Sequence, residues 1–573
     1  MMHFVLYFFS NLVSAHSMKA HPFIYIFLPL WILLCFWQAY FAQLLPDEAY
    51  YWLYSQNLAW GYFDHPPAIA VLIKVGTLLF KNEWGVRFGA VVLSTATLWL
   101  IYKITAPQNE WLFIIVLTCI IPLHLLVNFA EPDVPLIFFA ALFFFALKTY
   151  LQSKGRLNIL LILIATAGMF YSKYHAVLII IFSLLAAPVI FSFTSFYVIV
   201  MLSAALYAPH VWWQFQHHFK TIHYQLTERS ADGYRIEFTL DYLTGQLLML
   251  GPIATPFLVF ASIKHKSTNL LERVLFFNLA GFLIFFLLMS LRGHIEPNWT
   301  TPCWIPLIVL SCKYLEKNNG LVKWLKPIAA VSLVIILIGK WWLTSPLTDK
   351  KWFAFDNFHG WKKWAAAIKE HAQGNPVVFM NTYQLPAEYM FYAHEPSFSH
   401  NTPYSRSNQF DYWHYEEKMF GKKIMLVPIE WYLPATTAFP AFRDSVEYLW
   451  VDHYFNFSKI RFRALDLPNG VKANREFQIH AVAENFFSNK SLVSALNEMN
   501  AWVGATYTAP GFWTYPMNTG TSFSEKNLND TLLLHITAPS KPGKYLFTLC
   551  LNDSLGKISF SANSDKMALK VEE

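Results

Sequence analysis

Between residues 43 and 85 the chain reads Leu45-Pro46-Asp47-Glu48-Ala49-Tyr50-Tyr51-Trp52, then Gly61-Tyr62-Phe63-Asp64-His65-Pro66-Pro67. A carboxylate can take a proton from a hydroxyl, and a cationic side chain can stabilise negative charge as it develops. Three further segments mix the same residue types. Glu131 and Asp133 stand in Glu131-Pro132-Asp133-Val134-Pro135, and Lys173 and His175 in Tyr171-Ser172-Lys173-Tyr174-His175. Arg292, His294, Glu296 and Asn298 fall in Arg292-Gly293-His294-Ile295-Glu296-Pro297-Asn298-Trp299. Pro46 ahead of Asp47 and Glu48 also fits an ordinary helix start, with acids at the positive end of the dipole. Taken singly, Glu131, Lys173 and Glu296 equally fit solvated loop charges. A helix start does not account for Asp64-His65-Pro66-Pro67.

The elements that must position these residues are apolar. Of 573 residues 55% are hydrophobic and only 14% charged, with 52 Phe and 22 Trp. A water-soluble core of that composition could not cover its own surface with polar groups, so lipid is the expected solvent. About 20 apolar residues cross a bilayer as a helix. Such runs lie near 22–43, 86–105, 110–129, 132–151, 157–172, 174–191, 193–213, 240–262, 273–291, 299–315 and 325–344. That makes about eleven crossings, with the separators between 157 and 213 very short. Residues 1–17 are apolar as well, and Met18 is an alternative start.

Lysine and arginine set the orientation. With the N-terminus inside, the inner loops hold Lys103, Lys148, Lys154, Arg156, Lys264, Lys266, Arg273, Lys313, Lys317, Lys323 and Lys326. The opposite loops hold Asp47, Glu48, Asp64, Glu83, Glu131, Asp133, Glu228, Asp232 and Glu296. All four chemistry-bearing segments therefore share one side, away from the cytoplasm. The tail after about residue 345 lies on that side too. The five cysteines show no CxxC spacing, and four of them sit in apolar runs, so neither a disulfide framework nor a zinc site is expected.

After about residue 345 the composition turns polar. Residues 346–455 read as a small α/β module, with helices at Trp361–His371 and Leu385–Tyr392 and strands at Pro376–Met380 and Lys423–Pro428. Residues 456–573 read as an antiparallel sandwich, with strands at Lys459–Leu465, Glu476–Val482, Thr531–Ile536 and Lys544–Leu551. Pro539-Ser540-Lys541-Pro542-Gly543 makes the turn between the last two.

Together these segments resemble the GT-C glycosyltransferases, in the group that includes the protein O-mannosyltransferases and the lipid A aminoarabinose transferases. The resemblance rests on Asp47-Glu48, His65-Pro66-Pro67, Glu131-Pro132-Asp133-Val134-Pro135, Ser172-Lys173-Tyr174 and His294-Ile295-Glu296-Pro297-Asn298-Trp299, in that order. Much of it lies within residues 22–300. Asn381–Leu385 and Tyr404–Trp413 are similar to the periplasmic segment of bacterial members, and the β-rich end lies outside it.

The resemblance implies a polytopic GT-C enzyme in a bacterial inner membrane, with the tail in the periplasm. It would move a sugar from a polyprenyl-phosphate donor to a hydroxyl or phosphate of a lipid, glycan or protein acceptor. Asp47 maps onto the catalytic carboxylate, and Tyr51 onto a tyrosine one turn later on the same face. Asp64 and Asp133 map onto acids of the following external turns. Glu48, Arg292, His294 and Glu296 count among supporting residues, and His65, Lys173 and Arg292 are assigned to donor phosphate. Aminoarabinose transferases carry Glu-Lys before Pro-Pro, where this chain has Asp64-His65. Those two are also the pair expected to hold a divalent metal, should one take part.

No Gly-rich phosphate loop occurs in the first 340 residues, in keeping with a donor that is not a nucleotide, and no nucleic-acid partner is expected. Two other classes compete. A lipid-linked sugar flippase would place ionisable residues at the midplane of interrupted, pseudo-symmetric helices. A membrane-anchored binding protein would leave the acids of 43–85 without a task.

Overall fold

The computed structural model describes residues 22–223, 234–345, 356–428, 437–487, 501–509, 512–514, 517–552 and 560–573. The chain forms two compact units, 1–348 and 349–573. The apolar stretch 1–17 and part of the connector 214–239, including Glu228 and Asp232, lie outside the described residues.

The first unit is helical. Its helices are α1 (Pro22–Phe41), α2 (Pro46–Gln56), α3 (Ala68–Thr77), α4 (Glu83–Thr105), α5 (Glu110–Thr118), α6 (Ile121–Leu125), α7 (Asp133–Gln152) and α8 (Arg156–Ser172). They continue as α9 (Ala176–Ala186), α10 (Thr194–Gln216), α11 (Lys220–His223), α12 (Ile236–Met249), α13 (Thr255–Lys264), α14 (Leu270–Met289), α15 (Trp304–Lys317) and α16 (Asn319–Thr344). Asparagine begins several of them: the side chains of Asn82, Asn109 and Asn269 accept from backbone N–H groups in the first turn of α4, α5 and α14.

Among the described residues, six helices are long and apolar enough to cross a membrane: α1, α4, α7, α10, α14 and α16. The other expected crossings are shorter helices or are broken. The run 110–129 breaks between α5 and α6, where Pro122 cannot donate to a continuing ladder. The run 240–262 breaks between α12 and α13 at Gly251, whose φ of +115° suits glycine. A Cβ there would stand 2.5 Å from the carbonyl of Cys119, so the two breaks adjoin. The Trp304 indole donates to the Met249 carbonyl at 2.7 Å, satisfying a group freed at the end of α12. Residues 43–85, expected as an external loop with a helix start at Pro46, carry α2 from that proline and also the apolar α3, which packs on α4.

The second unit begins with α17 (Trp361–Ala372) and α18 (Gln384–Ala393). A five-stranded sheet is built from β1 (Val377–Met380), β2 (Ser397–His400), β3 (Ile424–Val427), β4 (Thr437–Ala441) and β5 (Asp444–Val451), in the order β2-β1-β3-β5-β4. β1 pairs in parallel with β2 and β3, while the β4–β5 hairpin joins the edge antiparallel. β1 and β3 are buried along their whole length, as parallel strands covered on both faces are.

The β-rich end continues with β6 (Ile460–Ala464), β7 (Gly470–Lys472), β8 (Glu476–Asn485), β9 (Trp502–Ala509), β10 (Phe512–Trp513) and β11 (Met517–Ser522). It closes with β12 (Thr531–Thr537), β13 (Gly543–Asn552), β14 (Phe560–Ala562) and β15 (Met567–Glu572). A three-stranded sheet, β12-β8-β6, and a seven-stranded sheet around β9, β13 and β15 share one core, which holds Ile460, Ile479 and Leu534 with Val503, Tyr507 and Phe547. β12 alternates strictly between exposed and buried, the pattern of a strand with one wet face. The pairing is not wholly antiparallel, since β7 runs parallel to β15.

Candidate active site

α2 begins at Pro46, which needs no amide partner at that position, and puts Asp47 and Glu48 in its first turn. The two acids have different surroundings. Glu48 is fully buried, and its carboxylate receives Arg87 Nε at 2.8 Å and Arg87 Nη2 in a bidentate pair. The Leu45 and Ala130 amides donate to the same carboxylate at 2.9 and 2.7 Å. Arg87, itself fully buried near the start of α4, spends its remaining donors on the carbonyls of Ala39, Ala42 and Gln43. Glu48, expected among the supporting residues, therefore locks the end of α1, the start of α2 and the turn before α7 together.

Asp47, one residue earlier, is only partly buried. Its charge acts on Glu131, whose carboxyl is pushed well above the usual carboxylate range. Burial is the largest cause, followed by Asp47, Glu48 and Asp133, with Lys173 acting against them. Three expected site segments, those of Asp47, Glu131–Asp133 and Lys173, are thereby brought within electrostatic reach of one another.

Asp133 starts α7 and is nearly buried. Lys173 Nζ donates to both its oxygens at 3.0 and 2.9 Å, Asn298 Nδ2 to Oδ2 at 3.0 Å and Thr301 Oγ1 to Oδ1 at 2.9 Å. The Glu131, Lys173 and Asn298 segments converge on this carboxylate. Lys173 is 4% exposed and committed to Asp133. In this conformation it points its charge at that carboxylate, so a phosphate role would require it to share or exchange the contact.

Asp64 is held from the other side. Its Oδ2 accepts the phenols of Tyr50 at 3.1 Å and Tyr54 at 3.2 Å. Burial, then Tyr50 and Asp64, push the Tyr54 phenol up, so it stays protonated and donates. Tyr51 is buried one turn after Asp47, with its ring 5.6 Å from those of Tyr54 and His65. The segment carrying Asp64 is anchored on α10: His210 Nδ1 lies 2.7 Å from the Trp60 carbonyl, and its Nε2 3.2 Å from the Tyr174 hydroxyl. A Cβ at Gly61 would stand 2.5 Å from the Trp213 ring, so only glycine lets this segment lie against α10.

Arg292, His294 and Glu296 form a more open turn. Arg292 and His294 are exposed, and His294 lies 3.8 Å from Asp241 and 3.7 Å from Glu296. Within that segment Asn298 reaches Asp133. Groups of three or more His, Cys, Asp or Glu placed to hold a metal do not occur among the described residues. Asp64 and His65 alone offer too few donors to fit one.

Sequence reasoning missed Arg87, Tyr50, Tyr54, His210 and Thr301. An arginine in an apolar run was the available signal for Arg87. The spacing of Tyr50 and Tyr54, one helical turn, was the signal for that pair.

With this geometry in view, three comparisons bear on the chain. Residues 64–213 match the family of dolichyl-phosphate-mannose-protein mannosyltransferases. That stretch runs from Asp64 to Trp213, through Asp133 and Lys173. The crystal structure of ArnT from Cupriavidus metallidurans in the apo state superposes with a TM-score of 0.55, covering 76% of this chain and 98% of that one at 13% identity. The undecaprenyl-phosphate-bound form gives 0.56, covering 75% and 98% at 12%. The chain shares the fold of these two structures over about three quarters of its length. The lipid A galacturonosyltransferase RgtD of Rhizobium johnstonii is 26% identical over 297 residues, 48% of this chain. The match spans 62% of that relative's length.

Proposed function

We propose that this protein is a membrane glycosyltransferase that moves a sugar from a polyprenyl-phosphate donor to a lipid, glycan or protein acceptor on the extracytoplasmic face. The observation that carries the reading is the gathering of Asp47, Glu131 and the Asp133–Lys173 pair around the start of α2. The match to a mannosyltransferase family and the fold shared with a protein crystallised with undecaprenyl phosphate support it.

Asp47 is the base. It accepts the proton of the acceptor hydroxyl as that oxygen bonds to the sugar's C1, while the bond from C1 to the phosphate oxygen breaks. The lipid phosphate leaves with the electron pair, and one displacement inverts the anomeric carbon. Glu48 and Arg87 hold Asp47's helix in place. Asp133, held by Lys173, Asn298 and Thr301, fixes the far wall, and Tyr51 lines the site. Exposed Arg292, together with His65, meets the phosphate, with Lys173 released to it when donor binds. With about eleven crossings, the short and broken helices included, residues 349–573 lie in the periplasm of an inner-membrane protein. There the second unit positions the acceptor.

The test is a reconstitution with a polyprenyl phosphate carrying a radiolabelled sugar. Release of free polyprenyl phosphate with loss of label from the lipid is the expected result. Movement of intact donor between leaflets without release would replace this reading with that of a flippase. Comparing the masses of surface glycolipids and glycoproteins with and without the gene then identifies sugar and acceptor.

A further inference from the structure

The opposite end of the helical unit carries a second polar site that sugar transfer does not use. A cavity of about 510 Å³ opens between the C-terminal turns of α4 and α7, the start of α14 and the side of α15. Its walls include Thr105, Lys148, Gln152, Asn269, Glu272 and Lys313. Lys148 donates to the carbonyls of Lys103 and Ile104 at 2.6 and 2.9 Å, which fixes its ammonium at the rim and leaves a third N–H. Lys313 is half-buried and makes no side-chain hydrogen bond or ion pair among the described residues. Both it and Lys103 lie close enough for their charges to act on Lys148.

Like charges brought together at a half-buried cavity are unfavourable unless an anion joins them. Glu272 does not fill that role. Its Oε2 already accepts from His265 Nε2 at 3.0 Å, the Thr268 amide at 2.7 Å and the Thr268 hydroxyl at 2.9 Å, and it forms no ion pair with either lysine. A surplus of positive charge therefore faces the cavity. Scattered cytoplasmic lysines would sit in open water. These instead line a recess at the ends of membrane-length helices, where phospholipid head groups lie.

We propose that this recess binds a phosphate group, with Lys148 and Lys313 as its cationic partners. The phosphate belongs to a phospholipid head group or to a free phosphate ester, and the experiment separates the two. The inference is independent of the sugar-transfer reading, because its readout is binding and not transfer.

The full-length purified protein is titrated with fluorescent phosphatidylglycerol, with inorganic phosphate and glycerol phosphate as competitors. Saturable binding is expected to weaken about fivefold in Lys313→Gln and about 25-fold in Lys148→Gln/Lys313→Gln. Lys313→Gln removes no hydrogen bond or ion pair among the described residues, so it stays informative should loss of Lys148's bonds disturb folding. Lys148→Arg/Lys313→Arg should keep binding. Lys323→Gln/Lys326→Gln, which removes two exposed lysines away from the cavity, should leave it unchanged. Competition by inorganic phosphate at matching concentration assigns the site to a free ester, and its absence assigns it to the lipid. Unchanged binding in both cavity variants, an equal loss in the exposed-lysine variant, or no saturable binding of any probe overturns the proposal.

Discussion

Arg87→Met removes the cation that locks the start of α2. The guanidinium makes its bidentate pair with Glu48 and also covers three backbone carbonyls, with both side chains wholly buried. Breaking one side of a buried pair costs about 3–5 kcal/mol, chiefly because the surviving charge stays buried. Glu48 keeps two amide donors, from Leu45 and Ala130, so the lower half of that range, about 3 kcal/mol, is expected. Thermal unfolding in detergent should show a Tm lower by about 4 °C, at roughly 1.4 °C per kcal/mol for a unit spanning residues 1–348. Glu48→Gln/Arg87→Met removes both charges and should recover about half of the loss, the uncovered carbonyls keeping the rest. An Arg87→Met protein as stable as wild type, or a double variant less stable than Arg87→Met alone, would refute the reasoning.

Lys173→Met strands Asp133 on Asn298 and Thr301 and should destabilise by about 3 kcal/mol, most of it regained in Asp133→Asn/Lys173→Met, as read by thermal unfolding. Glu131, with its folded pKa raised, stays protonated in the native state over a window where the unfolded chain has lost the proton. Stability conferred by that proton is present at low pH and is lost as pH rises from the ordinary carboxylate value through the raised one. Glu131→Gln should therefore melt progressively higher than wild type across that window, and parallel Tm–pH curves would contradict it. Tyr50→Phe/Tyr54→Phe removes both phenol donors from Asp64 and should slow sugar transfer about tenfold or more with little change in Tm, checked in the reconstituted assay.

Lipid imposes long apolar runs, so each of the eleven runs between 22 and 344 overlaps helix, six of them on helices of membrane length among the described residues. The breaks at 119–120 and 250–254 were hidden because apolar composition continues straight through them, and the bonds that tolerate them come from elsewhere, as Trp304 does for Met249. α3 was hidden as well, its ten residues too short to stand out beside Pro66-Pro67. In the second unit, strands that alternate or follow a turn, such as β8, β12 and β13, were legible, whereas β2, with Phe398 as its one apolar residue, carries too few.

In the site, the acids could be read because their neighbours in sequence share their chemistry. Their roles could not. Whether Asp47 or Glu48 is the spent carboxylate depends on Arg87, 39 positions further along, and Asp133's partners span 168.

The most direct test of the account is Asp47→Asn in the reconstituted reaction. Asparagine keeps the size of the side chain and its place in the first turn of α2 but cannot take a proton. The account predicts a protein with wild-type Tm and membrane insertion that releases no polyprenyl phosphate from labelled donor. Release at close to the wild-type rate would contradict it.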